Sequence, residues 1–147
     1  AESLGKNQKG FIPVISNAPK DHHSLLQLYL DGPKDKIFYV FSSEKKTSIK
    51  TKSTFFDQGM QHLNKKKYNT IINSQKNAFL TALKSKKIAF REIKIKKFDE
   101  DSLGKLFLSF IIETILLGKI MNINPFDQPA VEQVKILTKK FLKLKKF

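Results

Sequence analysis

The sequence contains no cysteine. That excludes a disulfide framework and any thiolate metal site, and a cytoplasmic home is the simplest expectation. Tryptophan is absent too, and Arg91 is the only arginine beside a large excess of lysine. The formal net charge of +15 invites a nucleic acid or an anionic membrane as partner. Base reading and bidentate phosphate clamping favour arginine, however. The lysines are also scattered, through SEKKTSIKTK, NKKKY, KSKK, IKIKKF and KKFLKLKKF. A solvated lysine-rich surface is therefore expected, with no nucleic acid and no membrane as partner; a basic polyanion-binding module is the weaker alternative. Long hydrophobic runs are lacking. LFLSFIIETILLGKIM (Leu106–Met121) is broken by Ser109, Glu113 and Lys119 and falls short of the roughly 20 residues a bilayer span needs, so it reads as a buried helix. No stretch reads as a signal peptide. Neither a glycine-rich phosphate loop nor a metal-spaced His or carboxylate cluster occurs, so no organic cofactor and no metal are expected.

What is present is alternation. At 147 residues, a single domain spanning 1–147 with a real core is expected. FIPVIS (Phe11–Ser16) reads as a strand or strand end. DHHSLLQLYLDG (Asp21–Gly32) reads as a helix capped by Asp21 and stopped by Gly32-Pro33. IFYVF (Ile37–Phe41) is a continuous apolar run suited to a strand buried on both faces. Ser42 to Gly59 reads as a polar surface loop. A helix follows through Ile71, Ile72, Phe79, Ala82 and Leu83. IAFREIKIKK then alternates as a strand with one wet face. Asp99 to Asp101 crowd the start of the long apolar helix, where the macrodipole favours acids. The last helix is expected from about Ala130 to Lys145, with an apolar stripe of Val131, Val134, Leu137, Phe141 and Leu144. Such alternation argues for an α/β sandwich with a mainly parallel sheet and a C-terminal helix.

Several polar residues could carry chemistry, and each has a plainer reading. His22 and His23 are adjacent, so on a helix they point about 100° apart and do not share a metal easily. His23 sits in a first helical turn behind Asp21, a place suited to proton exchange; it also reads as an ordinary surface histidine. His62 lies in a polar stretch and faces water. Lys135 borders the apolar stripe of the last helix, where a packed stem with a wet head is the common outcome. Glu2 reads as a frayed terminal carboxylate, and Glu113 as a core carboxylate satisfied by a partner. Taken singly, none of these rises above its plainer reading.

Three blocks taken together carry more. AESLGK (Ala1–Lys6) resembles the E-S-x-G-K block of the phosphoglucose isomerase (glucose-6-phosphate isomerase) family. DHHSLLQLYLDGPKDK (Asp21–Lys36) resembles its helix-opening block with histidine. NPFDQPAVEQVK (Asn124–Lys135) resembles its signature F-D-Q-x-G-V-E-x-x-K. Order and spacing fit along essentially the whole chain. The match is to the C-terminal part of the shorter bacterial form, which contains the second sugar-isomerase (SIS) domain. The resemblance implies a flavodoxin-like three-layer αβα sandwich. It implies Glu2 as the base that moves a proton between C1 and C2 through a cis-enediol, His23 as an aid to ring opening, Lys135 acting at the ring oxygen, and Gln128 near the substrate. It further implies a sugar phosphate substrate and a homodimer in which His23 reaches the neighbouring subunit's site. Ala130 departs from the usual glycine. The family's phosphate-binding Ser/Thr loop and its transition-state arginine lie in a preceding SIS domain that no segment here matches, and Arg91 is not assigned that role. The chain opens at Ala1, directly in a motif, and reads as a piece of something longer or a processed product. The expectation is an isomerase half-domain with little turnover alone; a catalytically inactive remnant or dimerisation half is the alternative.

Overall fold

The computed structural model describes residues 1–43, 47–52 and 58–144. Within them the order is α1 (His22–Asp31), β1 (Phe38–Ser43), a 3-10 helix (Gln58–Leu63), α2 (Tyr68–Ser85), β2 (Phe90–Ile95), α3 (Glu100–Ile120) and α4 (Pro129–Lys143). The chain forms two compact units, Ile15–Asp99 and Ala1–Val14 with Glu100–Phe147.

The unit Ile15–Asp99 is built on β1 and β2, which pair in parallel with Phe38 opposite Phe90 and Ser43 opposite Ile95. Parallel strands need a crossover, and α2 lies in the connection between them. Aromatic contacts place α1 and α2 on one face of the pair. Tyr29 of α1 meets Phe38 edge-on at 5.0 Å, Phe79 of α2 meets it at 5.8 Å, and His22 stacks tilted on Phe79 at 4.9 Å. Period-two alternation brings Ser42 and Glu92 to the same face. There Lys76 of α2 pairs with Glu92 at 2.7 Å, both side chains largely covered. On the other face the Arg91 guanidinium lies 5.8 Å from the centre of the Tyr39 ring.

Helix α2 ends where the chain turns left-handed at Lys87 (φ 56°). The amides of Lys87 and Ile88 donate to the carbonyls of Lys84 and Leu83 at 3.1 and 2.9 Å. This is the paired closure that satisfies orphan helix carbonyls and tucks the following apolar residue inward. Leu83 is wholly buried and Ile88 nearly so.

In the second unit, Leu4 and Ile123 are buried. Helix α3 starts on Glu100 and Asp101, as the acid-rich stretch predicts. It ends with the same closure as α2. Asn122 takes φ 55°, and the amides of Asn122 and Ile123 donate to Lys119 and Gly118 at 3.2 and 2.8 Å. Gly118 lets the chain close tightly there: a Cβ would stand 3.1 Å from both the Ile123 carbonyl oxygen and the Pro125 ring and would push on them.

The α/β class, the parallel pairing and the C-terminal helix agree with expectation. Three readings do not. The run Ile37–Phe41 is not buried on both faces, since Ile37 and Phe41 are exposed. FIPVIS is no strand; Phe11, Ile12, Val14 and Ile15 are exposed. Pro13 removes a ladder donor, and among the described residues no strand pairs with the segment. The long helix α3 is not buried: Leu103, Phe107, Ile111 and Ile120 are exposed, and only Gly118 is buried. Its apolar residues ring the helix, and the described residues cover little of that ring. Helix α4 carries its expected apolar residues from Val131 to Leu144, and they too are exposed. Lys145 lies outside the described residues, as does part of the loop expected from Ser42 to Gly59, whose first two residues belong to β1. Among the described residues no helix is long and apolar enough to cross a membrane.

Candidate active site

The first motif folds as a tight turn. The amides of Leu4 and Gly5 both donate to the Ala1 carbonyl, at 3.2 and 2.8 Å. Gly10, at φ 135°, folds back so closely that a Cβ on it would stand 2.8 Å from the Gly5 Cα. Only glycine adopts that backbone region without strain.

The third motif follows the closure of α3. Asn124 organises it. Its side-chain oxygen accepts from the Phe126 amide at 3.1 Å, and its side-chain nitrogen donates to Asp127 Oδ2 at 3.0 Å. Pro129 then opens α4, where a missing amide hydrogen costs nothing. Gln128 occupies the cap position, and its carbonyl accepts from the amides of Val131 and Glu132 at 3.1 and 3.3 Å. Its side chain makes no cap. It donates instead to the Glu2 carboxylate, 126 positions away in sequence. An ionised carboxylate only accepts, so the amide nitrogen must face it.

Two lysines of the N-terminal segment reach across, one to this turn and one to the end of α3. Lys6 donates to the Asn124 carbonyl and pairs with Asp127 Oδ1 at 2.8 Å. Lys9 donates to the Met121 carbonyl at 3.1 Å. The hydrogen bond from Lys6 is the main cause that holds the Asp127 carboxyl below its ordinary range; desolvation opposes it, and the charge of Lys6 and the Asn124 amide add to it.

Lys135 lies on α4, between one and two turns after its first residue Pro129. Its ammonium pairs with Glu132 at 2.6 Å, and the side chain is 61% exposed. His23 belongs to the other unit and is exposed on α1 beside the packed His22. Asp21 precedes α1 without capping it. Its carboxylate accepts from the Asn17 amide at 2.6 Å instead.

Of the four residues singled out from sequence, then, Glu2 and Gln128 meet side chain to side chain, while Lys135 pairs with Glu132 on α4 and His23 lies in the other unit. Sequence reading missed Lys6, Asn124 and Asp127. The signal lay inside the quoted blocks, in the lysine of the first and the aspartate of the third. A cavity of about 370 Å³ lies beside this turn, lined by Ile115, Lys119, Ile123 and Phe126 among others, and by none of Glu2, Gln128 and Lys135. Among the described residues no three His, Asp or Glu side chains gather closely enough to hold a metal ion.

Helices packed on a parallel strand pair define an α/β protein, and in it the first and last motifs meet through Gln128 and Glu2. Comparison with known proteins gives the relationship. The chain is 37% identical over 97% of its length to a glucose-6-phosphate isomerase of Methanocaldococcus jannaschii, and 33% identical over 97% to one of Campylobacter jejuni. It is 38% identical over 92% of its length to a probable glucose-6-phosphate isomerase of Methanococcus maripaludis. It is thus a relative of glucose-6-phosphate isomerases. The chain spans about a third of the length of these relatives, from 30% to 36%. A crystal structure of a hypothetical protein, TT0462 from Thermus thermophilus, superposes with a TM-score of 0.80 at 28% identity, over 96% of this chain and 35% of that one. No protein-family model matches.

Proposed function

We propose that this chain supplies the proton-transfer half of an aldose–ketose isomerase that interconverts glucose 6-phosphate and fructose 6-phosphate. The observation that carries the reading is the bond from Gln128 to Glu2. It joins the first and last of the three blocks that resemble the isomerase family, and the relatives' names point to the same chemistry.

In this reading the Glu2 carboxylate removes the proton from C2 of the open-chain sugar. The electrons left behind form the C1–C2 double bond of a cis-enediol as the aldehyde oxygen gains a proton. Glu2 then delivers its proton to C1, the C2 hydroxyl loses its proton to become the ketone, and the carboxylate is restored. A base that keeps its proton between two adjacent carbons needs a fixed position more than a large range of motion. Gln128 supplies that fixation by occupying one carboxylate oxygen and leaving the other for the substrate. Lys135 acts at the ring oxygen when the cyclic sugar opens, which requires it to leave Glu132. His23 assists ring opening from a neighbouring subunit. The phosphate is held by a Ser/Thr loop and an arginine that are not found in this sequence, and the exposed apolar faces of α3 and α4 are surfaces a further SIS domain or subunit would cover. Turnover by the isolated chain is accordingly slight.

The test is conversion of glucose 6-phosphate by the full natural gene product in water enriched in deuterium. Deuterium should enter at C2 of the aldose and C1 of the ketose, and Glu2→Gln should lower kcat by about 10²–10⁴-fold. Conversion by Glu2→Gln at the wild-type rate would overturn the reading.

A further inference from the structure

We propose that Lys6 and Asp127 form a positioning pair that sets the Glu2 carboxylate against Gln128. The inference rests on the reading of Glu2 as the base. Glu2 and Gln128 sit on segments at opposite ends of the sequence, and one side-chain bond joins them. Such a bond holds a carboxylate within reaction tolerance only if the two backbones are themselves in register. Lys6 provides that register. It lies four residues beyond Glu2, within the same turn-rich segment, and its partner Asp127 immediately precedes Gln128. Its ammonium engages the turn twice, at the Asn124 carbonyl and at Asp127 Oδ1, and its side chain is only 12% exposed. Asn124 fixes the other oxygen of Asp127 at 3.0 Å, so the acceptor cannot swing away with the lysine. An isolated surface ion pair contributes little to stability. The value of this one is geometric, because a misplacement of about 1 Å at the reacting group can cost about 10²-fold in rate. Lys9, bonded to the Met121 carbonyl, ties down the segment further along without engaging the carboxylate turn.

The experiment uses the full natural gene product, with wild type, Lys6→Met, Lys6→Arg, Asp127→Asn and the double variant Lys6→Met/Asp127→Asn compared in kcat and KM. Lys6→Met should lower kcat about 10–100-fold while KM stays within about threefold. Lys6→Arg keeps the charge and donors and should recover most of the loss. The double variant should be no slower than the worse single one, since both remove the same contact. Retention of more than about half the wild-type kcat by Lys6→Met, or single effects that multiply in the double variant, would overturn the pair. If Lys6→Met does not fold, Asp127→Asn carries the test with the same expected drop, its site being half exposed. Wild-type protein with no isomerase activity would sink the functional reading itself and this inference with it. Active wild type with an indifferent Lys6 sinks the inference alone.

Discussion

Ile88 donates its backbone amide to the carbonyl of Leu83 at 2.9 Å, and Ile123 does the same to Gly118 at 2.8 Å. The two helices that precede β2 and the carboxylate turn therefore end in one way: a left-handed residue, then an apolar one turned inward. Ile88 and Ile123, with Leu4 and Leu83, are the buried apolar residues of the described chain. Where α2 and α3 stop is thus set by where those two isoleucines are buried.

The residues in the left-handed position differ, and so should their tolerance of glycine. Lys87, at φ 56°, carries a Cβ in a region that costs an ordinary side chain about 1–2 kcal/mol. Asn122, at φ 55°, is of a type that enters it more readily. Lys87→Gly is expected to raise stability by up to about 1 kcal/mol, while Asn122→Gly changes it by a few tenths. Urea unfolding of both variants at constant m-value measures the difference; a loss of stability in Lys87→Gly would mean that its side chain contributes more than the backbone strain costs.

Acid sensitivity should centre on Glu92. The hydrogen bond from Lys76 is the main cause that lowers its carboxyl below the ordinary range; desolvation opposes it, and the charges of Lys76 and Lys94 and the Ser42 hydroxyl support it. A carboxylate depressed in the folded state stabilises above its unfolded value and loses that contribution as pH falls through the folded one. Wild-type stability should decline from about pH 5 downward, and Glu92→Gln should be less stable at pH 7 with a shallower decline. Denaturation midpoints across that range test it, and equal slopes for the two proteins would assign the acid sensitivity elsewhere.

Much of this was legible in the sequence because periodicity survives the loss of context. The 3.6-residue repeat of α2, the apolar run of β1 and the alternation of β2 each describe a local element, and each formed within a few residues of its predicted place. Burial was not legible in that way. Leu106–Met121 reads as a core helix because its residues are apolar, yet burial depends on what lies opposite, which periodicity does not encode. FIPVIS failed for the related reason that a strand exists only with a partner. In the site, the motif residues were visible but their link was not. Gln128 bonds Glu2 across 126 positions, and Lys6 reaches Asn124 across 118, separations that no spacing rule anticipates.

The exposed helices carry their own expectation. Phe107, Leu108, Ile111 and Ile112 leave an apolar face uncovered on α3, and patches of this kind mark surfaces that bind other protein. The isolated chain should bind a fluorescent apolar dye and associate at micromolar concentration, as sedimentation would show. Leu108→Lys should weaken both, with a stability change within about 0.5 kcal/mol because the side chain is already exposed. A monodisperse, dye-negative wild-type chain would mean that α3 finds cover within the chain in solution.

The proposed donation of His23 across a dimer interface makes a quantitative demand on hybrids. A two-fold interface is reciprocal, so each site would combine Glu2 of one subunit with His23 of the other. Glu2→Gln and His23→Ala homodimers of the full gene product should each be nearly inactive. In a hybrid of the two, one site receives both defects and its twin receives neither. Random reassortment of equal amounts makes about half the dimers hybrid, so mixing should restore about a quarter of wild-type activity. If the histidine instead serves the Glu2 of its own subunit, every hybrid site carries one defect, and mixing restores nothing. Refolding the two variants together, with each refolded alone as control, separates these outcomes by activity, and the control excludes recovery by refolding itself.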